Sequence, residues 1–365
     1  MITVVRREGS PALTRRDRLD VPVSASSEPA GARDAVACTG GHLMKEDVDT
    51  RQVLLNAAHA ARFAPSIHNT QPWRWVVHAD RMELHPVHRR QLQFQDRDGQ
   101  MLLISCGTAL HHAQVALSAG GWQCVVDKTV PGPLAVVRIE GRTVADPAAI
   151  RLLEQLPVRH TDRRTVSDEP VAPAVLDALI AAAEGVGVRL HLLTRDQEID
   201  LAVLVERAQK TESADERLRG ETAVWVGGER ADGAGIPDAN LPATMPQTTV
   251  AERDFGTAGT LAPGSGHDNA ASYAVLYGTG DEPIDWLRAG EALSAVWLTA
   301  TELGAALLPM SSPIEVSFTR HQLDRMLGEI GLPYLVMRLG TPNPESGGPG
   351  RTPRLPAEQV IELRD

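Results

Sequence analysis

The alternation of apolar and polar positions predicts helices and strands in turn along most of the chain. Val53, Ala57 and Ala61 recur at helical spacing, and the segments "WRWVV" and "RMELH" that follow are typical of two strands joined by a short turn. Further elements are predicted in the order helix 101–119, strand 122–126 and strand 134–139.

A similar order of elements begins again after Pro157. The apolar pattern predicts a helix at 174–183, a strand at 188–193, a polar helix from 196, a helix at 284–303 and a strand at 333–339. The helices "GTALHHAQVALSAGG" and "GEALSAVWLTATELG" share four residues at one offset, and the strands "PLAVVRI" and "PYLVMRL" share three at another. Two matches in the same order favour an internal duplication over chance similarity between amphipathic elements.

Two polar segments occur in only one half each. The loop "RFAPSIHNTQPWRWVV", residues 62–77, lies between a helix and a strand of the first half, and the second half passes from helix to strand without it. Conversely, the cluster "RHTDRR", residues 159–164, opens the second half. A site that the halves share would therefore be complete only once per chain.

The domain division follows from these patterns. Residues 1–43 are rich in Arg, Ser, Gly and Ala without apolar periodicity and are predicted to be disordered, with Met44 as a candidate start of translation. Residues 44–150 form the predicted first half and residues 151–365 the second. Within the second half, residues 227–281 are rich in Gly, Pro, Ala and Thr and are predicted to be an insertion of the kind that forms lids or binding loops.

Composition narrows the functional classes. The net charge of -11 disfavours general binding to nucleic acid or to acidic membranes, so a bound anion needs a local group of cations. The three cysteines form no CxxC motif, no apolar run is long enough to span a bilayer, and we expect a cytoplasmic protein. The histidine pairs "HPVH" and "HH" lack the further ligands of a tetrahedral metal site, so no metal is predicted.

The two polar segments resemble those of a known family. "APSIHNTQPWRWVV" resembles the signature loop of the FMN-dependent nitroreductase superfamily, and "RHTDRRTVSDEPV" is similar to its opening Arg-x-Ser/Thr-x-Lys/Arg motif. The resemblance covers roughly residues 50–365 and is strongest to the two-halved, single-chain Acg branch of actinobacteria. It implies an α+β nitroreductase-like fold, internally duplicated so that one monomeric chain mimics the homodimer and binds one FMN.

The resemblance also implies site residues. Arg159, Thr161 and Arg354 would bind the phosphate and ribityl oxygens, with Arg351 as a helper, and Arg163 would reach the pyrimidine edge. The ring would lie on the segment "LLPMSSPIE". The complete predicted set comprises Pro65, Ser66, Asn69, Gln71, Arg159, Thr161, Arg163, Pro309, Met310, Ser311, Arg351 and Arg354.

Each of these assignments has an alternative in which the residue has no role in a binding site. "RHTDRR" is equally typical of a solvated charged segment, Met310 of core packing, and Arg354 of a tail arginine without a partner. The function implied is an FMN-dependent oxidoreductase that passes hydride from NAD(P)H to a small-molecule acceptor, a nitroaromatic or a quinone. The alternative is a non-catalytic protein that stores or sequesters FMN beneath a lid. No catalytic side chain is predicted, because the flavin supplies the hydride chemistry.

Overall fold

The computed structural model describes residues 49–129, 132–343 and 350–365; the segment 1–43, predicted to be disordered, and Met44 lie outside them. The helices are α1 (Thr50–Ala61), α2 (Gln100–Ala119), α3 (Pro147–Gln155), α4 (Pro173–Glu184), α5 (Arg195–Ala214), α6 (Glu216–Trp225), α7 (Pro283–Glu302), α8 (Ser312–Glu315) and α9 (Ser317–Met326). The strands are β1 (Trp73–Val77), β2 (Arg81–Pro86), β3 (Trp122–Asp127), β4 (Ala135–Arg142), β5 (Arg189–Leu192), β6 (Ser272–Gly278), β7 (Ala306–Met310), β8 (Leu332–Gly340) and β9 (Ile361–Leu363).

Two sheets repeat one strand order. The first sheet has the order β3-β4-β2-β1-β9, and the second, listed in the matching direction, has the order β7-β8-β6-β5. The pairs among β1 to β4 and among β5 to β8 are antiparallel in both sheets. In each half a 20-residue helix, α2 or α7, connects the second and third strands. The α+β architecture is therefore confirmed, and the two sheets share one strand order.

The halves differ in what joins their first two strands. A short turn joins β1 to β2, whereas α5, α6 and residues 226–271 separate β5 from β6. The predicted insertion ended at Asp281, and that limit was wrong, because residues 272–278 form β6 and pair with both β5 and β8. Four consecutive buried side chains, 273–276, place this strand in the core, although its sequence follows a Gly- and Pro-rich stretch.

The ends of the halves also interlock. Helix α3 spans residue 150, at which the sequence divides the halves, and β9 leaves the second half to pair in parallel with β1 of the first sheet. Trp75 lies opposite Ile361 in that pairing. The C-terminal segment therefore passes from one half to the other before the chain ends.

Helices α2 and α7 lie against each other backbone to backbone. A Cβ on Gly107 would overlap the carbonyl oxygen of Leu287 and lie 2.9 Å from the Cα of Gly290. A Cβ on Gly290 would overlap the carbonyl oxygen of Ile104 and lie 2.8 Å from the Cα of Gly107. The sequence repeat matches Gly107 to Gly290 and, at the same offset, Ile104 to Leu287. The contact of Gly107 with Leu287 therefore has its counterpart in the contact of Gly290 with Ile104.

This close contact places each long helix in both cores. Ile104 of α2 packs in the core of the second sheet, and Leu287 of α7 packs in the core of the first, which contains the fully buried Trp73 and Trp75. Helix α2 is buried around most of its circumference, which is typical of a helix inside a core. The two halves therefore share one apolar interior.

We predict that Gly107→Ala and Gly290→Ala each lower the free energy of unfolding by at least about 2 kcal/mol, because the new methyl group meets backbone atoms that cannot rotate away. Urea unfolding followed by circular dichroism measures this. The matched control is Gly220→Ala on α6, where a Cβ meets no atom within 4 Å. It should raise stability by about 0.5–1 kcal/mol through helix propensity, and equal stabilities of all three variants would contradict the close contact.

Candidate functional site

A cavity of about 1160 Å³, counted out to its open mouth, lies where the halves meet. Its walls come from the loop before β1, from α2 and α7, from the segment before α4, from the end of β7 and from the C-terminal segment. The residues of the predicted set that line it are Pro65, Ser66, Asn69, Arg159, Thr161, Arg163, Pro309, Met310, Ser311 and Arg354. Of the other two predicted residues, Gln71 is buried outside the lining and Arg351 is exposed.

The loop at residues 65–71 has an unusual backbone. His68, Asn69 and Gln71 have φ values of 45°, 55° and 48°, a region that costs residues with a side chain about 1–2 kcal/mol each. The hydroxyl of Thr108 donates to the carbonyl of Pro65 (2.6 Å), and the backbone N–H of Gln71 donates to Ser66 Oγ (2.9 Å). These bonds to α2 and within the loop hold the backbone in this shape.

The amides of Asn69 and Gln71 join the loop to two distant segments. Asn69 Nδ2 donates to the carbonyls of Gly235 (2.9 Å) and Pro353 (3.0 Å). Gln71 Nε2 donates to the carbonyl of Gly233 (2.8 Å), and its Oε1 accepts from the N–H of Leu355 (3.0 Å). The loop therefore positions part of the insertion and the C-terminal segment around the cavity.

One end of the cavity, here called the basic end, contains Arg159 and Arg354. Arg159 is 6% exposed, its guanidinium lies 4.3 Å from the ring centre of Trp297, and its Nε has no hydrogen-bond partner. Burial lowers the pKa of Arg159 well below its usual value, with Arg354 adding to the effect. Burial, and then Arg62, lower the pKa of Arg354 to about 10.

Neither arginine forms an ion pair with a carboxylate within the part of the chain that the structure describes. A buried cation without a counter-ion is costly, and an anion bound from outside the protein would offset that cost. Arg354 is held in place by hydrogen bonds to the carbonyl of Phe63 (3.0 Å) and to Thr352 Oγ1 (2.8 Å).

A second part of the lining, here called the aromatic end, contains His68, Phe255 and Arg163. The rings of His68 and Phe255 meet edge to face with centroids 5.6 Å apart, and the Arg163 guanidinium lies 5.6 Å from the Phe255 ring. Pro309 and Met310 add apolar surface to the same cavity. Burial lowers the pKa of Arg163 to about 10, and its Nη1 donates to the carbonyl of Asn240 (3.2 Å).

Arg253 is a residue of the cavity wall that the sequence did not single out. Its Nη2 pairs with Glu315 (2.5 Å) and with Glu212 (2.7 Å), and its Nη1 donates to Ser311 Oγ (3.4 Å). Charge interaction with the two carboxylates holds the pKa of Arg253 above its ordinary value despite burial. The run "AERDF" offered no signal, because its partners lie far away in sequence on α5 and α8.

The adjacent Glu252 also lines the cavity and pairs with Arg338 (2.5 Å). Arg338 also pairs with Asp268 (2.6 Å) and donates to the carbonyl of Asp162 (2.8 Å). Residues 251–255 are therefore held by two buried ion clusters and form part of the cavity wall. Arg138, which the sequence repeat matches to Arg338, instead forms an exposed pair with Asp127.

Two further properties of the described residues concern metal ions and membranes. They contain no group of three or more His, Cys, Asp or Glu side chains placed to hold a metal ion. None of their helices has the length and apolar character needed to cross a membrane.

Comparison with known proteins gives the family. The chain is 35% identical over 324 residues to the Mycobacterium tuberculosis protein named "Putative NAD(P)H nitroreductase Rv3131", with 87% of this chain and 92% of that protein covered. It is 28% identical over 329 residues to "Putative NAD(P)H nitroreductase acg" of the same organism, with 88% and 98% covered. No family model matches the chain.

Solved structures show lower similarity. The FMN- and NADPH-dependent nitroreductase NfnB from a sphigopyxis strain has 16% identity and a TM-score of 0.37, covering 59% of this chain and 99% of that one. The two sheets of matching strand order and the cavity lined by both halves define a two-halved α+β protein. On the similarity to the mycobacterial relatives, the chain belongs to the Acg-like nitroreductase family.

We predict that Arg159→Met makes the ligand-free protein more stable by about 1–3 kcal/mol, because the apolar side chain can still pack on Trp297 while an unpaired buried charge is removed. The same variant should lose the stabilisation that inorganic phosphate gives to the wild type. Thermal unfolding with and without phosphate measures both effects. Arg89→Met, at an exposed position, is the control; a phosphate effect that survives in Arg159→Met would contradict the assignment of the basic end.

A second prediction concerns His68, whose pKa is lowered to about 4 by burial and then by Arg253. Because the folded pKa is below the ordinary value of 6.5, the neutral ring contributes stability above pH 6.5 that is lost as the pH falls towards 4. The difference in unfolding free energy between wild type and His68→Phe should therefore change by about 1.4 kcal/mol per pH unit in this range. Urea unfolding at several pH values measures it, and a constant difference would show that His68 titrates normally.

Proposed function

We propose that the chain is an FMN-dependent oxidoreductase that takes hydride from NAD(P)H and delivers it to a small aromatic acceptor, a nitroaromatic or a quinone. It would act in the cytoplasm as a monomer. It would bind one FMN per chain, because the loop at 65–71 and the arginine cluster at 159–163 each occur once and both contribute to one cavity. The observation that carries the proposal is the lining of that cavity, which combines arginines that have no carboxylate partner among the described residues with apolar and aromatic side chains.

The residues fit FMN on their own chemistry. A phosphate dianion needs cations without a carboxylate partner, and among the described residues Arg159, whose Nε has no hydrogen-bond partner, and Arg354 meet that need. Thr161 adds a hydroxyl to the same lining for a polar chain. Pro309, Met310 and Phe255 offer apolar surface for a planar ring.

When bound, FMN would supply the hydride chemistry. The protein's part is to bind, orient and exclude water. Arg163 would hold positive charge beside the ring, where it stabilises negative charge that develops on reduction. Asn69 and Gln71 act as positioning residues, since their amides hold the surrounding segments.

A second candidate function is non-catalytic storage of FMN, and the wall at residues 251–255 favours it. Phe255, Arg253 and Ala251 belong to the insertion, line the cavity, and are held by buried ion clusters. A closed wall would protect a bound flavin from solvent and would also keep nicotinamide from the ring. The two functions differ only in whether a reductant reaches the cofactor.

The experiment that separates them is anaerobic mixing of the FMN-loaded protein with NADH or NADPH while flavin absorbance is followed. An enzyme should lose the absorbance within about a second, as typical turnover rates require. For a store, the wild type should react slowly and Phe255→Ala at least about tenfold faster, because the shortened side chain opens the wall. Phe318→Ala, at an exposed position on α9, is the matched control.

The flavin retained per chain is counted on the same samples. Rapid reduction of the wild type with no gain in Phe255→Ala supports the enzyme and excludes a barrier at Phe255. A wild-type protein that retains no FMN would overturn both candidate functions.

A further inference from the structure

His68 borders the cavity at its aromatic end and has no role in the set predicted from the sequence. It is 5% exposed and has a φ of 45°, which a histidine adopts only when its surroundings hold it there. The strained position faces a ligand cavity and lies in the loop that only the first half carries. Strain of this kind is concentrated at functional sites.

The hydrogen bonds of the ring define its tautomer. His68 Nε2 lies 2.9 Å from Gln95 Oε1, and an amide oxygen can only accept, so Nε2 carries the proton. With the pKa lowered to about 4, the ring is neutral at physiological pH. Nδ1 therefore holds a lone pair, and it has no hydrogen-bond partner among the residues that the structure describes.

The ring is held from two sides. The Glu221 carboxylate on α6 accepts hydrogen bonds from the backbone N–H groups of Gln93, Phe94 and Gln95, the last at 2.9 Å, which holds the segment that carries Gln95. On the other side, the edge of His68 meets the ring of Phe255. The tautomer and the orientation of the ring are therefore both set before any ligand binds.

Most charged and polar groups near His68 already have side-chain partners. Arg253 and Glu315 pair with each other, and Gln95 is engaged with His68 itself. Arg163 is the neighbouring cation that donates only to a backbone carbonyl in the contacts described. A ligand at the aromatic end thus meets a donor in Arg163 and an acceptor in His68.

We propose that His68 Nδ1 accepts a hydrogen bond from an N–H or O–H group at the edge of a flat ring bound at the aromatic end, which makes His68 a specificity-determining residue. The identity of the ring rests on the proposed function. The donor can belong to the cofactor, as the imide N–H of FMN, or to the acceptor, as the hydroxyl of a nitrophenol.

The test is nitrogen NMR of the full chain labelled with ¹⁵N-histidine, with the His68 signals assigned by their loss in His68→Phe. The ligand-free protein should show an unprotonated Nδ1 at pH 7. Its resonance should move on addition of FMN if the cofactor is the donor, or only on further addition of 4-nitrophenol if the acceptor is. His321→Phe, at an exposed position on α9, is the control for labelling and folding.

Affinity supplies the second measurement. His68→Phe should weaken binding of the donor ligand about tenfold, as for one buried hydrogen bond, and His321→Phe should leave it unchanged. A protonated Nδ1 in the free protein, or an Nδ1 resonance that neither ligand moves, would overturn the proposal. If the wild type takes up no FMN, the proposed function fails, and the nitrophenol arm alone then decides the proposal for His68.

Discussion

The backbone contact between α2 and α7 is the constraint on which the rest of the structure depends. Two 20-residue helices can lie this close only because Gly107 and Gly290 have no side chains at the crossing. The contact joins the two cores, since Ile104 and Leu287 each pack into the core of the opposite half. It also brings the loop at 65–71 near the arginine cluster, from which it is separated by almost a hundred residues.

The cavity follows from a departure from the repeat. The halves share strand order and long helices, but the loop and the arginine cluster that contribute to the cavity lining each occur once. The protein holds Arg159 in its interior without a carboxylate partner. Such a residue lowers the stability of the ligand-free protein, and an anion that binds there recovers that free energy.

The insertion is part of the site. The side-chain amides of Asn69 and Gln71 donate hydrogen bonds to Gly235 and Gly233 of the insertion. The ion clusters of Arg253 and Arg338 hold its residues 251–255. In consequence, the wall over the aromatic end is built from the least regular part of the chain. Under the proposed function, how often that wall opens decides between turnover and storage of a bound flavin.

The sequence by itself determined the repeat, the long helices and the loop motif, because apolar periodicity and local motifs are properties of neighbouring residues. Through the resemblance it also gave ten of the thirty residues that line the cavity. It missed β6 as part of the sheet, the return of β9 to the first sheet, and the wall residues Arg253 and Phe255. These depend on pairing between segments far apart in the chain. The same is true of His68, whose tautomer depends on Gln95 and whose orientation depends on Phe255, so only the tertiary structure decided its chemistry.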